Sequence, residues 1–252
     1  MALLTAYLDE SGINPDEHTC VVAGFVGNDA QWGHFAADWI KAIRPRKNLH
    51  MKALRWRQHP NRVKKVLAQA GPIPTRYNLI PVCASLRWAD YDRVIKGKVP
   101  DETFRNPYIQ CAMAAVSVVL LEVVGANDEI YFLFDRQKGL RKKTMNAIKD
   151  ISFDWFGLDS RYRGLDFIAR ETTVCLDPAD YLAYILREHS INADSDKVRM
   201  GESIVNRKIH GGKIPAGYLQ LVVDQDSRPD GLERAVRSLA QHPFFRGPKD
   251  GV

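Results

Sequence analysis

Apolar and polar positions along this chain alternate between a strand period and a helix period. Leu3 to Leu8 is a run of Leu, Thr, Ala and Tyr that breaks at Asp9-Glu10-Ser11-Gly12. It reads as a buried strand that delivers two adjacent carboxylates at its C-terminal end. Thr19 to Val26 is a second strand-like run, close enough to pair with the first as a hairpin. Trp32, Phe35, Ala36, Trp39, Ile40 and Ile43 recur at helical spacing, which predicts a helix capped by Asp29 and ended by Arg44-Pro45. Pro60 opens a shorter helix with Val63, Val66 and Leu67 inward and Gly71 as its stop. Tyr77 to Leu86 reads as a third strand, and Pro81 within it argues for an edge or a bulge. Asn106 to Val124 is apolar and Ala-rich enough for a buried helix. Glu129 to Phe134 is a fourth strand that ends in Asp135, and Leu140 to about Ile151 a helix with a basic start. Leu165 to Ala169 is a short fifth strand, and Asp177-Pro178 then opens a helix running to about Glu188.

That order predicts an α/β domain over residues 1–190: a mixed five-stranded sheet flanked by helices, with a helical insertion at about 29–75 between strands two and three. Residues 191–252 are more polar. Gly211-Gly212 marks a loop there, Tyr218 to Val223 a strand and Gly231 to Gln241 a helix. They are expected to form a C-terminal extension packed on the same domain. Neither an internal repeat nor a low-complexity linker is present.

Composition changes the picture little, and charge changes it a good deal. Hydrophobic residues make up 45 % of the 252 and charged ones 26 %, an ordinary globular balance. No apolar run approaches the roughly 20 residues of a membrane span, and the N-terminus has no basic leader. Cys20, Cys83, Cys111 and Cys175 are far apart and lack CxxC spacing, so reduced core thiols in a cytoplasmic protein are expected. The net charge is +6, but Trp39 through Ala89 holds no Asp or Glu and twelve Lys or Arg. The remaining 24 basic and 30 acidic residues leave the rest of the chain at −6. Such a segment suits a polyanion, above all the phosphates of DNA or RNA, with Arg55, Arg57 and Lys64 as candidate contacts. A solvated basic face is the plainer alternative.

The candidate chemistry lies in the acids at element ends. Strand one ends in Asp9 and Glu10, strand four in Asp135, and the last helix starts with Asp177 and Asp180 on one face of its first turn. If strands one and four are neighbours, Asp9 and Asp135 converge. Clustered carboxylates repel one another unless a cation neutralises them, and Mg²⁺ or Mn²⁺ prefers such oxygens. Two such ions about 4 Å apart can activate a water and stabilise the leaving oxygen of a phosphodiester. Asp177 reads as a helix cap, Glu122 as an acid reaching solvent or a further ligand, and His50 as a surface or phosphate-contacting side chain. No phosphate-binding Gly loop and no GxSxG elbow occurs.

Four pieces together resemble the DUF3800 family of bacteria and their phages: YLDESG at 7–12, LHMKAL at 49–54, FLFD at 132–135 and LDPADYLAYILRE at 176–188. The resemblance implies a ribonuclease H-like fold and metal-dependent nuclease (hydrolase) chemistry, with Mg²⁺ or Mn²⁺ held by Asp9, Glu10, Asp135 and Asp180. Relatives tend to carry Gln three residues before the helix Asp, where this chain has Asp177. The segment around His50 lacks an acid often seen in relatives, so no catalytic role is assigned to it. The leading expectation is phosphodiester hydrolysis of DNA or RNA. The alternatives are a non-catalytic nucleic-acid-binding or phage-defence/toxin-system partner with the same fold, and a small-phosphate hydrolase using the same acids.

Overall fold

The structure, a computed structural model, describes residues 1–54, 58–94, 96, 106–136, 142–192 and 209–213. In chain order its main elements are β1 (Leu3–Ser11), β2 (Thr19–Asn28), α1 (Asp29–Ile43), α2 (Pro60–Ala70), α3 (Ile73–Arg76), β3 (Ile80–Arg87), α4 (Trp88–Val94), α5 (Pro107–Val118), β4 (Glu129–Asp135), α6 (Lys142–Phe156), β5 (Tyr162–Ile168), α7 (Asp177–Ile191) and β6 (His210–Lys213). The strands form one mixed sheet in the order β5-β4-β1-β2-β3-β6. β1 runs parallel to β4 and antiparallel to β2; β4 and β5 are parallel, as are β3 and β6.

The sheet therefore has six strands among the described residues, one more than the sequence pattern predicts. The added edge strand contains Gly211-Gly212, which reads as a loop in the sequence. It pairs with β3 through its backbone, from Val82↔His210 to Ser85↔Lys213. Pairing of this kind needs no apolar alternation, so the pattern of side chains does not announce it. Pro81 lies in β3 one residue short of that pairing, so the amide it lacks is not needed there. The expected strand Tyr218 to Val223 and helix Gly231 to Gln241 lie outside the described residues.

Alternation along the strands divides two cores. Leu8, Val22, Phe132 and Phe134 face α5 and α6 on one side. Val21, Ala23 and Phe25 face α1, α2 and α7 on the other. All twelve residues of α5 are buried, as its nearly unbroken apolar content requires, and its last turn widens into a π-helical turn, Val119–Val123. In α1 the predicted apolar face is buried at Trp32, Phe35, Trp39 and Ile43, while Ile40 is exposed. Its cap is Asn28 rather than Asp29: the Asn28 side chain accepts from the Gln31 amide and Gln31 returns a bond to the Asn28 amide. Gly12 turns the chain out of β1 at φ +79°, with its Cα so close to the Thr19 carbonyl that a Cβ would lie 1.9 Å from that oxygen. All four cysteines are buried and unbridged. Among the described residues, no helix is long and apolar enough to cross a membrane.

Candidate functional site

The parallel pairing of β1 with β4 carries Leu8 beside Phe134, so the next residues, Asp9 and Asp135, emerge together at the C-terminal ends of neighbouring strands. Such ends are where open α/β sheets place their ligands. Both side chains project to the side covered by α7, whose first turn brings Asp180. All three are buried, at 1 %, 5 % and 5 % relative exposure.

They meet on one guanidinium. Arg170 follows β5 in a three-residue 3₁₀ turn, Arg170–Thr172. Its Nη2 contacts Asp9 Oδ2 and lies 2.6 Å from Asp135 Oδ2, its Nε donates to the same Asp135 oxygen at 3.0 Å, and its Nη1 lies 2.9 Å from Asp180 Oδ2. Nothing in the Ala-Arg-Glu sequence around Arg170 announces this role, and sequence reasoning missed it. The predicted convergence of Asp9, Asp135 and Asp180 is present, organised around a cation the chain supplies itself.

His50 completes the cluster. Its Nδ1 lies 2.8 Å from Arg170 Nη1 and 3.1 Å from Asp180 Oδ2. One nitrogen cannot accept from the guanidinium and donate to the carboxylate at the same time. Two acids of α7 hold the loop that presents it. Asp177 Oδ2 accepts from the Leu49 amide at 2.8 Å and from Trp39 Nε1 at 2.9 Å, and Asp180 Oδ2 accepts from the Met51 amide at 2.6 Å. The expectation that Asp177 caps α7 is thereby corrected: its side chain makes no cap bond, and it pins the 49–51 loop to α1 instead. His50, expected as a surface or phosphate-contacting side chain, keeps 40 % of its side chain exposed and also contacts Asp180 and Arg170. The signal was available, since LHMKAL is one of the four stretches that carry the family resemblance.

Glu10 behaves differently from its neighbour. Strand alternation puts it on the α5 side, beside Val22 in register, and it is 3 % exposed. Both its carboxyl oxygens, like the Tyr108 hydroxyl nearby, are buried without a hydrogen-bond partner among the described residues. Burial, then the charges of Asp9 and Asp135, push the Glu10 carboxyl well above the usual range. Burial and the Asp180 charge, opposed by Arg170, push Asp9 up to about 7. Burial likewise raises Asp177 to about 7, against the hydrogen bonds from Trp39 and Leu49. At Asp180 burial works upward too, but the His50 bond, the Arg170 charge and the Met51 amide together hold it below the ordinary carboxylate value. Glu122, considered as a ligand, lies elsewhere: its carboxylate is 3.1 Å from His210 Nδ1 of β6.

The donor set is three carboxylates with one imidazole, and its chemistry suits a hard divalent cation. Arg170 is the cation at that place. With it there, Asp9 and Asp135 face Nη2 while Asp180 faces Nη1, and among the described residues no group of three His, Cys, Asp or Glu side chains is arranged around a common metal point.

The acid-free segment gives the neighbouring surface. Met51–Ala53 turns directly out of the His50 loop into it. On α2, Val63, Val66 and Leu67 are buried as predicted, and Arg62, Lys64 and Lys65 point outward and make no ion pair among the described residues. Arg46, His59 and Arg62 line a cleft of about 260 Å³ at the start of that helix. Three other cations of the segment are neutralised by acids at its borders: Lys41 and Arg76 by Asp38, and Arg87 by Asp90. Arg55 and Arg57 lie outside the described residues. No protein-family model matches the chain, and no curated protein matches its sequence.

Proposed function

We propose that this protein is a divalent-metal-dependent hydrolase of phosphodiester bonds in nucleic acid, working at the cluster of Asp9, Asp135 and Asp180. The observation that carries the reading is the convergence of three buried carboxylates, from β1, β4 and α7, on one cationic point at the C-terminal edge of the sheet. Burying three acids together is costly and is retained where charge is needed for function. The mixed sheet is compatible with a ribonuclease H-like fold. The family resemblance supports the same reading through four short stretches, without a matching family model.

Asp9, Asp135 and Asp180 would hold the ion; Glu10, whose carboxyl lies on the opposite face of the sheet, orients Asp9 through its backbone amide, which donates to Asp9 Oδ1 at 2.8 Å. When bound, Mg²⁺ or Mn²⁺ neutralises these acids, polarises the phosphodiester and lowers the pKa of water. The protein's part is to fix the donors on rigid elements, to exclude water from their buried sides, and to place His50 at the solvent-facing rim through Asp180 and Asp177. The outward cations Arg62, Lys64 and Lys65 hold the polyanion backbone beside the cluster.

The test is cleavage of single- and double-stranded DNA and RNA oligonucleotides with Mn²⁺ or Mg²⁺, by the native protein and by Asp135→Asn. Metal-dependent cleavage by the native protein that falls at least a hundredfold in the variant is expected. Retention of nucleic-acid binding with no cleavage of any substrate and no metal-induced rise in melting temperature would overturn the enzyme reading and leave the binding-partner alternative.

A further inference from the structure

We propose that Arg170 is a displaceable internal counter-ion, which holds the carboxylate cluster in the metal-free protein and must leave it before a divalent cation loads. The inference rests on the metal-site reading above and concerns how that site is controlled. Its basis is the contact set of one side chain. The Arg170 guanidinium touches Asp9, Asp135 and Asp180 and also the imidazole of His50, so it fills the space where their oxygens converge. Direct ligands of Mg²⁺ lie about 2.1 Å from the ion. An ion that close to the same oxygens overlaps the guanidinium nitrogens, which lie 2.6 Å from Asp135 and 2.9 Å from Asp180. Like charge opposes joint occupancy as well. Guanidinium and metal are therefore alternatives.

The setting of Arg170 suits such an exchange. Asp9 and Asp135 sit on central strands and Asp180 on a fifteen-residue helix, so the acids stay in place. Arg170 instead projects from a three-residue turn at the end of edge strand β5. Its side chain is 11 % exposed, against 0 %, 7 % and 6 % for those of Asp9, Asp135 and Asp180. On this proposal the guanidinium leaves by rotation of its own long side chain, with sheet and helix kept in place. Its departure also leaves His50 Nδ1 free to turn wholly to Asp180.

The experiment is a calorimetric titration of Mn²⁺ into the full-length native protein and into Arg170→Met, which keeps the stem and removes the charge. The variant is expected to bind Mn²⁺ at least tenfold more tightly than the native protein. It should melt lower than the native protein without metal and gain more on adding Mn²⁺, since a ligand of the folded state stabilises by mass action. Equal or weaker Mn²⁺ affinity in a folded Arg170→Met overturns the proposal and leaves the metal site standing. Absence of Mn²⁺ binding in both proteins overturns the metal-site reading itself, and this inference with it. Should the variant fail to fold, the native protein decides: the Arg170 Nε–H resonance, protected by Asp135, is expected to lose its protection at saturating Mg²⁺. Its persistence there overturns the exchange.

Discussion

The acidic cluster and the basic segment are the two charged regions of this molecule, and they are built in opposite ways. The cluster gathers Asp9, Asp135, Asp180 and Arg170 from four elements, and its Arg170–Asp9 contact joins residues 161 apart in the chain. Each member is largely dehydrated, so each needs an opposite charge or a donor at close range. The basic segment is continuous in sequence. Its helix α2 buries Val63, Val66 and Leu67 and leaves Arg62, Lys64 and Lys65 in water. Charge displayed to solvent costs little and needs no fixed partner. The contrast teaches that the buried acids depend on the one cation among them, Arg170, whereas the basic face can be altered with little effect on stability.

The largest expected effect lies in the cluster. Asp180→Ala strips the Met51 amide and His50 of their acceptor and takes one of three carboxylates from Arg170. The expected loss is about 3 kcal/mol, the usual scale for breaking a buried charged network, measured by urea unfolding at neutral pH. A loss under about 1 kcal/mol would place the cluster on the same footing as the surface cations and end the contrast.

A smaller effect carries a distinctive pH signature. Asp9 titrates near 7 in the fold and near 3.8 as a free side chain. Its contribution is therefore fully present below pH 3.8 and is lost as pH rises through about 7, because the folded state holds the proton longer than the unfolded one. Asp9→Asn removes this dependence. From pH 6 to pH 8 the metal-free native protein should lose about 1 kcal/mol of stability relative to the variant. Parallel stability curves over that range would show that the Asp9 carboxylate is already comfortable beside Arg170.

The smallest effect on stability is expected on the basic face. Replacing Arg62, Lys64 and Lys65 together with Gln should change unfolding free energy by no more than about 0.5 kcal/mol. On the proposed function it should also lower the slope of log binding constant against log salt by about 2 to 3 for duplex DNA, one counterion contribution per lost phosphate contact. Fluorescence anisotropy across a salt series measures this, and an unchanged slope would move the nucleic-acid surface off α2.

Much of the sheet and the helices was legible because burial imposes a period on side chains. The run ending in Asp9, the EIYFLF strand ending in Asp135 and the apolar stripe of α1 each carry their own periodicity. Pairing β1 with β4 then followed as a condition that placed Asp9 and Asp135 together. The absence of acids between Trp39 and Ala89 was likewise plain, since a displayed charge depends on no distant residue. Tertiary structure alone decided the rest. It recruited Gly211-Gly212 into β6 through backbone bonds that no side chain encodes. It turned Asp177 from a cap into the anchor of the 49–51 loop, and it brought His50 to Asp180. Above all it sent the side chain of Arg170 from the end of an edge strand into the middle of three carboxylates. Local propensity reports the backbone state of a residue and the face it presents; which buried charges neutralise one another depends on where distant chain segments meet, and that is settled only when the whole sheet is assembled.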